Sequence, residues 1–375
     1  MSEEKKIRVG ILGASGYTGS DLVRLLLAHP HVEIVLLTAE RKAGHYMQDI
    51  FPHFMGFDLP ILMKIDEIEW PAVEVDVIFC ALPHATSQDI IKGLFHATGH
   101  GFMDEMIAEG TDDLISHHQN DIKVIDLSAD FRLRDTDVYS KWYGNDHTAA
   151  DLQEKAVYGL SEWYRDDISK ASLVACPGCY PTATLLALKP LLKANLIKAD
   201  DIIIDAKSGV SGAGRSLKEN NLFVEVAEAM QPYGVGHHRH MPEIEQELSA
   251  CTDKDIRVSF TPHLVPMNRG ELITVYVKLQ DNVSIDDLRQ TMTDHCADEY
   301  FLHLLDEGVM PATRMVRGSN HCVINIFKDR QSGRAIIIAA IDNLVKGSSG
   351  QAIQNMNLMM GLDEATGLKQ VAMFP

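Results

Sequence analysis

The chain has 375 residues, 46% of them apolar and 23% charged, and a net charge of -19 at pH 7. That length exceeds what one hydrophobic core usually serves and predicts two domains. The acidic balance argues against nucleic acid and anionic membrane surfaces as partners, and favours solubility; it leaves a small anionic substrate open, because local arginines can reverse the field inside a cleft. The opening stretch MSEEKKIRVGILGASG lacks a signal-peptide pattern, and no apolar run approaches the roughly 20 residues of a membrane span. Six scattered cysteines (Cys80, Cys176, Cys179, Cys251, Cys296 and Cys322) suit a reducing, cytoplasmic setting, where thiols are buried, metal-binding or catalytic rather than paired.

Ile7 to Leu12 reads as a short buried strand. Gly13-Ala-Ser-Gly16-Tyr-Thr-Gly19 follows, then SDLVRLLLAHP with apolar residues at helical spacing, then a second strand from Val32 to Ala39. Strand, glycine turn, helix and strand form the context that a dinucleotide fingerprint requires. Gly13 permits the tight turn, Gly16 lets the backbone approach a pyrophosphate, and Gly19 permits close helix–strand packing. The helix N-terminus supplies amide donors for phosphate. A glycine-rich turn without a ligand is the bland alternative. The second strand ends Thr38-Ala39-Glu40-Arg41-Lys42. Glu40 could hold the ribose 2′-hydroxyl of NAD, whereas Arg41 and Lys42 suit the 2′-phosphate of NADP, which is the reading we favour.

VDVIFCALPH (Val75 to His84) and IKVIDLSADF (Ile122 to Phe131) read as further strands of the same parallel sheet. The loops beyond them, including Ser128 and Arg132, therefore fall where such a sheet binds ligands. Arg132 is a candidate for gripping phosphate, with an ion pair to Asp130 or Asp135 as its structural alternative. The intervening polar stretch from His96 to Asn120 has histidines without metal-ligand spacing and reads as a solvated surface.

In the second half a short strand, SLVA, runs into Cys176-Pro-Gly-Cys179 and then an amphipathic helix, PTATLLALKPLLKANLI, which Pro190 is expected to interrupt. Cys179 thus falls at a helix N-terminus, where dipole and amides stabilise a thiolate and could form an oxyanion hole. A base is at hand in GVGHHRHMPEIEQEL, with His237, His238 and His240 crowded before a helix. Three histidines and two cysteines also admit zinc, but H-H-x-H with a distant C-x-x-C has no defensible zinc spacing, so no metal is expected. A dithiol redox pair and two buried structural cysteines are the other readings of the motif.

VACPGCYPTATLLALKP (Val174 to Pro190) resembles the active-site signature of the N-acetyl-gamma-glutamyl-phosphate reductase family, NADPH-dependent acyl-phosphate reductases of arginine biosynthesis. The resemblance runs on through GASGYTG, DLSADFRLRD, VYGLSE, SGVSGAGR, HRHMPEIEQEL and DNLVKGSSGQAIQNMNLMMGLDE, in one order along the chain. It implies that Cys179 is the nucleophile and that Cys176, where the family commonly has asparagine, is a neighbour. It implies His240 as acid and base, with His238 as the alternative.

By the same resemblance NADP(H) is held by Gly13, Ser15, Gly16, Tyr17, Thr18, Gly19, Thr38, Arg41 and Lys42, and by Ser211, Gly212 and Asn343 on the nicotinamide side. Helix capping is the alternative role for Asn343. Ser128, Arg132, Arg215 and Arg239 would bind the anionic substrate. The implied fold is α/β: a doubly wound NADP-binding domain of residues 1–160 plus 331–375, and an α+β catalytic and oligomerisation domain of residues 161–330, like glyceraldehyde-3-phosphate dehydrogenase. A homotetramer or dimer is expected. The nearest rival is an aspartate-semialdehyde dehydrogenase or another acyl-phosphate reductase of this architecture.

Overall fold

In the computed structural model residues 5–97 and 122–375 are described; the polar stretch, apart from His96 and Ala97, lies outside them. The chain forms two compact units, residues 1–176 with 352–367 and residues 177–351 with 368–375.

The first unit holds a sheet of six parallel strands: β1 (Ile7–Leu12), β2 (Val32–Leu37), β3 (Val77–Cys80), β4 (Lys123–Asp126), β5 (Val157–Tyr158) and β6 (Leu173–Ala175), in the order β2-β1-β3-β4-β6-β5. β3 is buried along its whole length and β1 over its last four residues, as expected where both faces of a parallel sheet are covered. The strand order reverses between β1 and β3, so the crevice beyond their carboxyl ends is the switch point at which such sheets take ligands.

The second unit is built on a mixed sheet of β7 (Ile202–Gly209), β8 (Gln231–Pro232), β9 (Val258–Val265), β10 (Glu271–Lys278), β11 (Leu302–Leu304), β12 (Cys322–Lys328) and β13 (Arg334–Ile341). Their order is β11-β12-β13-β10-β7-β9-β8. Burial alternates along β7, β9 and β10, so one face is covered and the other half-exposed. Ile203, Tyr276 and Ile336 lie side by side on the half-exposed face. The cysteine helix (Cys179–Lys193) packs over β10 and β13 and against the histidine helix (His240–Ser249).

Two expectations need correction. Pro190 does not interrupt the cysteine helix, which runs on to Lys193. A proline inside a helix costs about 3 kcal/mol, but Leu191 and Leu192 bury fully in the added turn, and tertiary packing of this kind outweighs local propensity. The division between units also falls elsewhere than 160 and 331. β6 pairs with β4 and β5 in the first sheet, and β13 lies within the second, so the breaks come at 176/177, 351/352 and 367/368.

The two helices are fastened by a buried ion pair, Lys189 Nζ to Glu247 Oε2 at 3.2 Å, with the side chains 2% and 0% exposed. Lys189→Met leaves the Glu247 charge buried without its partner, which costs about 3–5 kcal/mol. Chemical denaturation is expected to show that loss, with much of it regained in Lys189→Met/Glu247→Met. An unchanged midpoint in the single variant would contradict the pairing.

Candidate active site

Two helix beginnings meet in the second unit. Gly178 is the N-cap of the cysteine helix and Cys179 its first residue; His240 is the first residue of the histidine helix. They join at Gly178, whose N–H donates to Oε1 of Glu243 at 2.9 Å. A Cβ added to Gly178 would lie 2.5 Å from Nε2 of His240, so the imidazole rests on the glycine directly before the cysteine. Only glycine leaves room for it.

His238 does a different job. Its Nδ1 accepts the backbone N–H of His240 at 3.1 Å, and the two rings meet edge to face at 4.8 Å. Burial, with the Arg239 charge next in line, pulls the His238 imidazole down to about 4, so it is neutral at pH 7. Of the two candidate histidines, His240 lies against the cysteine turn and His238 supports the start of its helix. His237 is exposed.

Cys179 is partly exposed and Cys176 is fully buried. The Cys176 N–H donates to the Asp126 carbonyl at 2.7 Å and its own carbonyl accepts from Arg132 Nε at 2.8 Å. Around Cys179 stand residues that the sequence reading did not single out. Tyr180, in the first turn, donates to the His263 carbonyl at 3.4 Å, and Tyr233 donates to the Tyr180 hydroxyl at 3.2 Å. Burial pushes both phenols well up. A Cβ on Gly347 would stand 2.7 Å from Cβ of Cys179, which ties the turn after β13 to the thiol. Glu271, at the head of β10, is 0% exposed; burial pushes its carboxyl up to about 8, against a weaker downward pull from the neighbouring Cys179 thiol.

On the same unit Asn343 caps no helix, which corrects the alternative role given to it above: the turn that follows has Leu344 as its N-cap. Its amide bridges instead, Nδ2 donating to Ser211 Oγ at 2.9 Å and Oδ1 accepting from Gly270 N–H at 2.8 Å. Gly212 packs against Ser208 and Asn343. Arg215 and Arg239 are exposed.

The nucleotide turn of the first unit is built as its spacing predicts. Gly13 has φ +87°, and a Cβ there would strike the Ala81 carbonyl at 2.4 Å; one on Gly19 would strike the Gly13 carbonyl at 2.4 Å. A Cβ on Gly16 meets nothing nearer than 3.6 Å, so the turn is closed where strand and helix pack and open where a phosphate would lie. Gly16 caps the helix Tyr17–Leu26, whose first turn holds no acidic residue, which fits a dinucleotide pyrophosphate over Ser15 to Thr18. Thr38 is buried, its Oγ1 accepting from Gly13 N–H at 3.0 Å; it anchors the turn from within. Glu40, Arg41 and Lys42 are exposed at the end of β2.

Ser128 and Arg132, expected to bind the anionic substrate, are both buried. Ser128 is 1% exposed, its hydroxyl bound to Asp126 Oδ2 at 2.7 Å and to Ser87 Oγ at 2.5 Å. Arg132 is 7% exposed, and its Nε and Nη2 donate to the carbonyls of Cys176 and Leu127. It pins the chain that leads to the cysteine turn. Asp130 accepts from Ala85 N–H, Ser87 and Tyr139. Among the described residues no group of three His, Cys, Asp or Glu side chains could hold a metal ion.

A thiol and an imidazole gathered at two helix starts, on a chain whose other unit carries a dinucleotide turn, are the pairing that dehydrogenases working through a covalent acyl–enzyme use. Two family patterns agree: the semialdehyde dehydrogenase NAD binding domain matches residues 8–105 and 92–171, and the semialdehyde dehydrogenase dimerisation domain matches residues 179–343. The N-acetyl-gamma-glutamyl-phosphate reductase of Afipia carboxidovorans is 54% identical over 373 residues, covering 100% of this chain and 99% of its own. The probable chloroplastic N-acetyl-gamma-glutamyl-phosphate reductase of Arabidopsis thaliana is 52% identical over 375 residues, covering 100% of this chain and 87% of its own. The chain belongs to the N-acetyl-gamma-glutamyl-phosphate reductase family. Among solved structures, aspartate semialdehyde dehydrogenase II of Vibrio cholerae superposes with a TM-score of 0.69 at 18% identity, over 96% of this chain and 99% of that one. The enzyme of Candida albicans, solved with NADP, gives 0.67 at 18%, over 95% and 99%. At that identity the likeness is one of fold.

The burial difference sets an order of thiol reactivity. Peptide mapping after brief native-state treatment with iodoacetamide is expected to find Cys179 alkylated while Cys176, Cys80 and Cys322 are protected. Equal labelling of Cys176 and Cys179 would contradict the structure.

Proposed function

We propose that the chain reduces N-acetyl-L-glutamyl 5-phosphate to N-acetyl-L-glutamate 5-semialdehyde and phosphate, with Cys179 as nucleophile. The observation that carries the residue assignment is the His240 ring seated on Gly178, beside a partly exposed thiol at a helix N-terminus; the substrate follows from relatives at 50% identity and above, named for it. The Cys179 thiolate attacks the acyl carbon, the oxyanion draws on amides of the helix start, and phosphate leaves to give a thioester. NADPH, when bound, supplies the hydride that takes the thioester to a thiohemiacetal. His240 moves the protons: it takes one from the thiol at the outset and returns the thiol proton as the aldehyde departs.

The glycine turn with Arg41 and Lys42 would hold the cofactor's phosphates, and Ser211, Gly212 and Asn343 its nicotinamide side. Arg215 and Arg239 are the exposed cations suited to the substrate's anionic groups. The dimerisation-domain match and the half-exposed face bearing Ile203, Tyr276 and Ile336 support a homodimer or homotetramer through the second sheet. Six free thiols and the lack, among the described residues, of a helix long and apolar enough to cross a membrane support a cytoplasmic setting.

The test is phosphate-dependent oxidation of N-acetyl-glutamate semialdehyde, read as NADPH absorbance. Cys179→Ser is expected to lose about a thousandfold or more in kcat, and Cys176→Ser to keep most activity. Equal loss in both variants would make the C-x-x-C a functional pair, and an inactive wild type would overturn the assignment.

A further inference from the structure

Glu271 is a carboxyl in a register built for apolar side chains. It stands in phase with Ile273, Val275 and Val277, each buried at 0%, and pairs across the sheet with Ser208 on β7 and Ile341 on β13. The cysteine helix covers this face. A Cβ on Gly347 would touch both Cys179 and Ile341 Cδ1, so Glu271's cross-strand partner and the thiol share one neighbour. Both carboxyl oxygens are buried without a partner of full hydrogen-bond geometry among the described residues, and the titratable groups that interact with the carboxyl are Cys179, Tyr180 and Tyr233.

A bare carboxylate in such a place would carry a large desolvation cost, so the group keeps its proton to near pH 8. Tyr180 on the cysteine helix and Tyr233 interact with its charge; the cysteine helix also carries Lys189 and Lys193, the paired strands carry Asp205, Lys207 and Arg334, and the neighbouring chain carries His238, His240, Arg269, Asp342 and Lys346. Tyr180 and Tyr233 are pushed well up and His238 down to about 4, so these three keep one charge state from pH 7 to 9. Arg269 and Asp342 face each other at 3.6 Å.

We propose that Glu271 is a positioning residue for Cys179: as a neutral acid it donates its O–H to the sulfur and stabilises the thiolate without adding a second negative charge. The proposal rests on the reading of Cys179 as the nucleophile. The proton stays on the carboxyl oxygen while sulfur attacks, and no redox partner is needed. Below about pH 8 the carboxyl is neutral and adds no negative charge beside the sulfur. Above it the carboxyl ionises, the donor is lost, and a second negative charge stands beside the sulfur and repels anions.

The experiment compares alkylation of Cys179 by neutral iodoacetamide and anionic iodoacetate from pH 6.5 to 9.5, using the full chain and following the Cys179 peptide by mass. In wild type the ratio of iodoacetamide to iodoacetate rates is expected to rise about fivefold between pH 7 and 9 as the charge appears. In Glu271→Gln, which keeps a neutral donor, the ratio stays flat while the iodoacetamide rate at pH 7 is retained. In Glu271→Leu, which has no donor, that rate falls about tenfold. Parallel ratio profiles in wild type and Glu271→Gln, or a Leu variant as reactive as wild type, would overturn the proposal. A wild-type Cys179 that resists both reagents would instead overturn the nucleophile reading beneath it.

Discussion

The active site depends on what Gly178 allows. Two helix N-termini, each carrying partial positive charge, are brought together with Cys179 and His240 as their first residues. Left alone the two ends would repel. Glu243, in the first turn of the histidine helix, offsets both: it lies at the positive end of its own helix and accepts the Gly178 N–H at the start of the other. The absent side chain at Gly178 then lets the imidazole close on the turn. The Lys189–Glu247 pair holds the same two helices further along, so the thiol and the imidazole are held together by packing and charge rather than by a flexible loop.

The first unit applies the same economy to the nucleotide turn. Gly13 and Gly19 are pressed against backbone and Thr38 ties the turn from below, which leaves Gly16 and the helix start open. Beyond β4 and β6 of the same sheet, Arg132 fastens the loop after β4 to the Cys176 carbonyl. Cys176 is therefore the last residue fixed by the parallel sheet, and Cys179 the first fixed by the helix. The C-x-x-C spacing marks a change from one unit to the other, with one thiol buried and the next partly exposed.

Much of this was legible beforehand where period and spacing are the physics. β1, the glycine turn, and the helices starting near Cys179 and His240 follow from alternation, glycine placement and amphipathic period. What escaped was set by distant chain. Pro190 looked like a helix break because local propensity gives no sight of the core that receives Leu191 and Leu192. The bonds of Arg132 escaped because its sequence neighbours do not show that carbonyls of Leu127 and Cys176 await its donors. Glu271 left one faint sign, an acid in phase with Ile273, Val275 and Val277, which reads as the frayed end of a strand until the cysteine helix is seen to cover it. His238 and His240 could not be told apart in sequence, because the difference lies in which ring faces Gly178.

The proposed chemistry divides into an acylation assigned to the second unit's own side chains and a reduction that needs the dinucleotide. The most direct test of the central claim isolates the first half. Mixing the enzyme with N-acetyl-glutamyl phosphate in the absence of NADPH, and quenching in acid, should give a rapid burst of phosphate of about one per subunit and an acyl adduct on the Cys179 peptide. Absence of a burst, or an adduct on Cys176 or on no cysteine, would contradict the account.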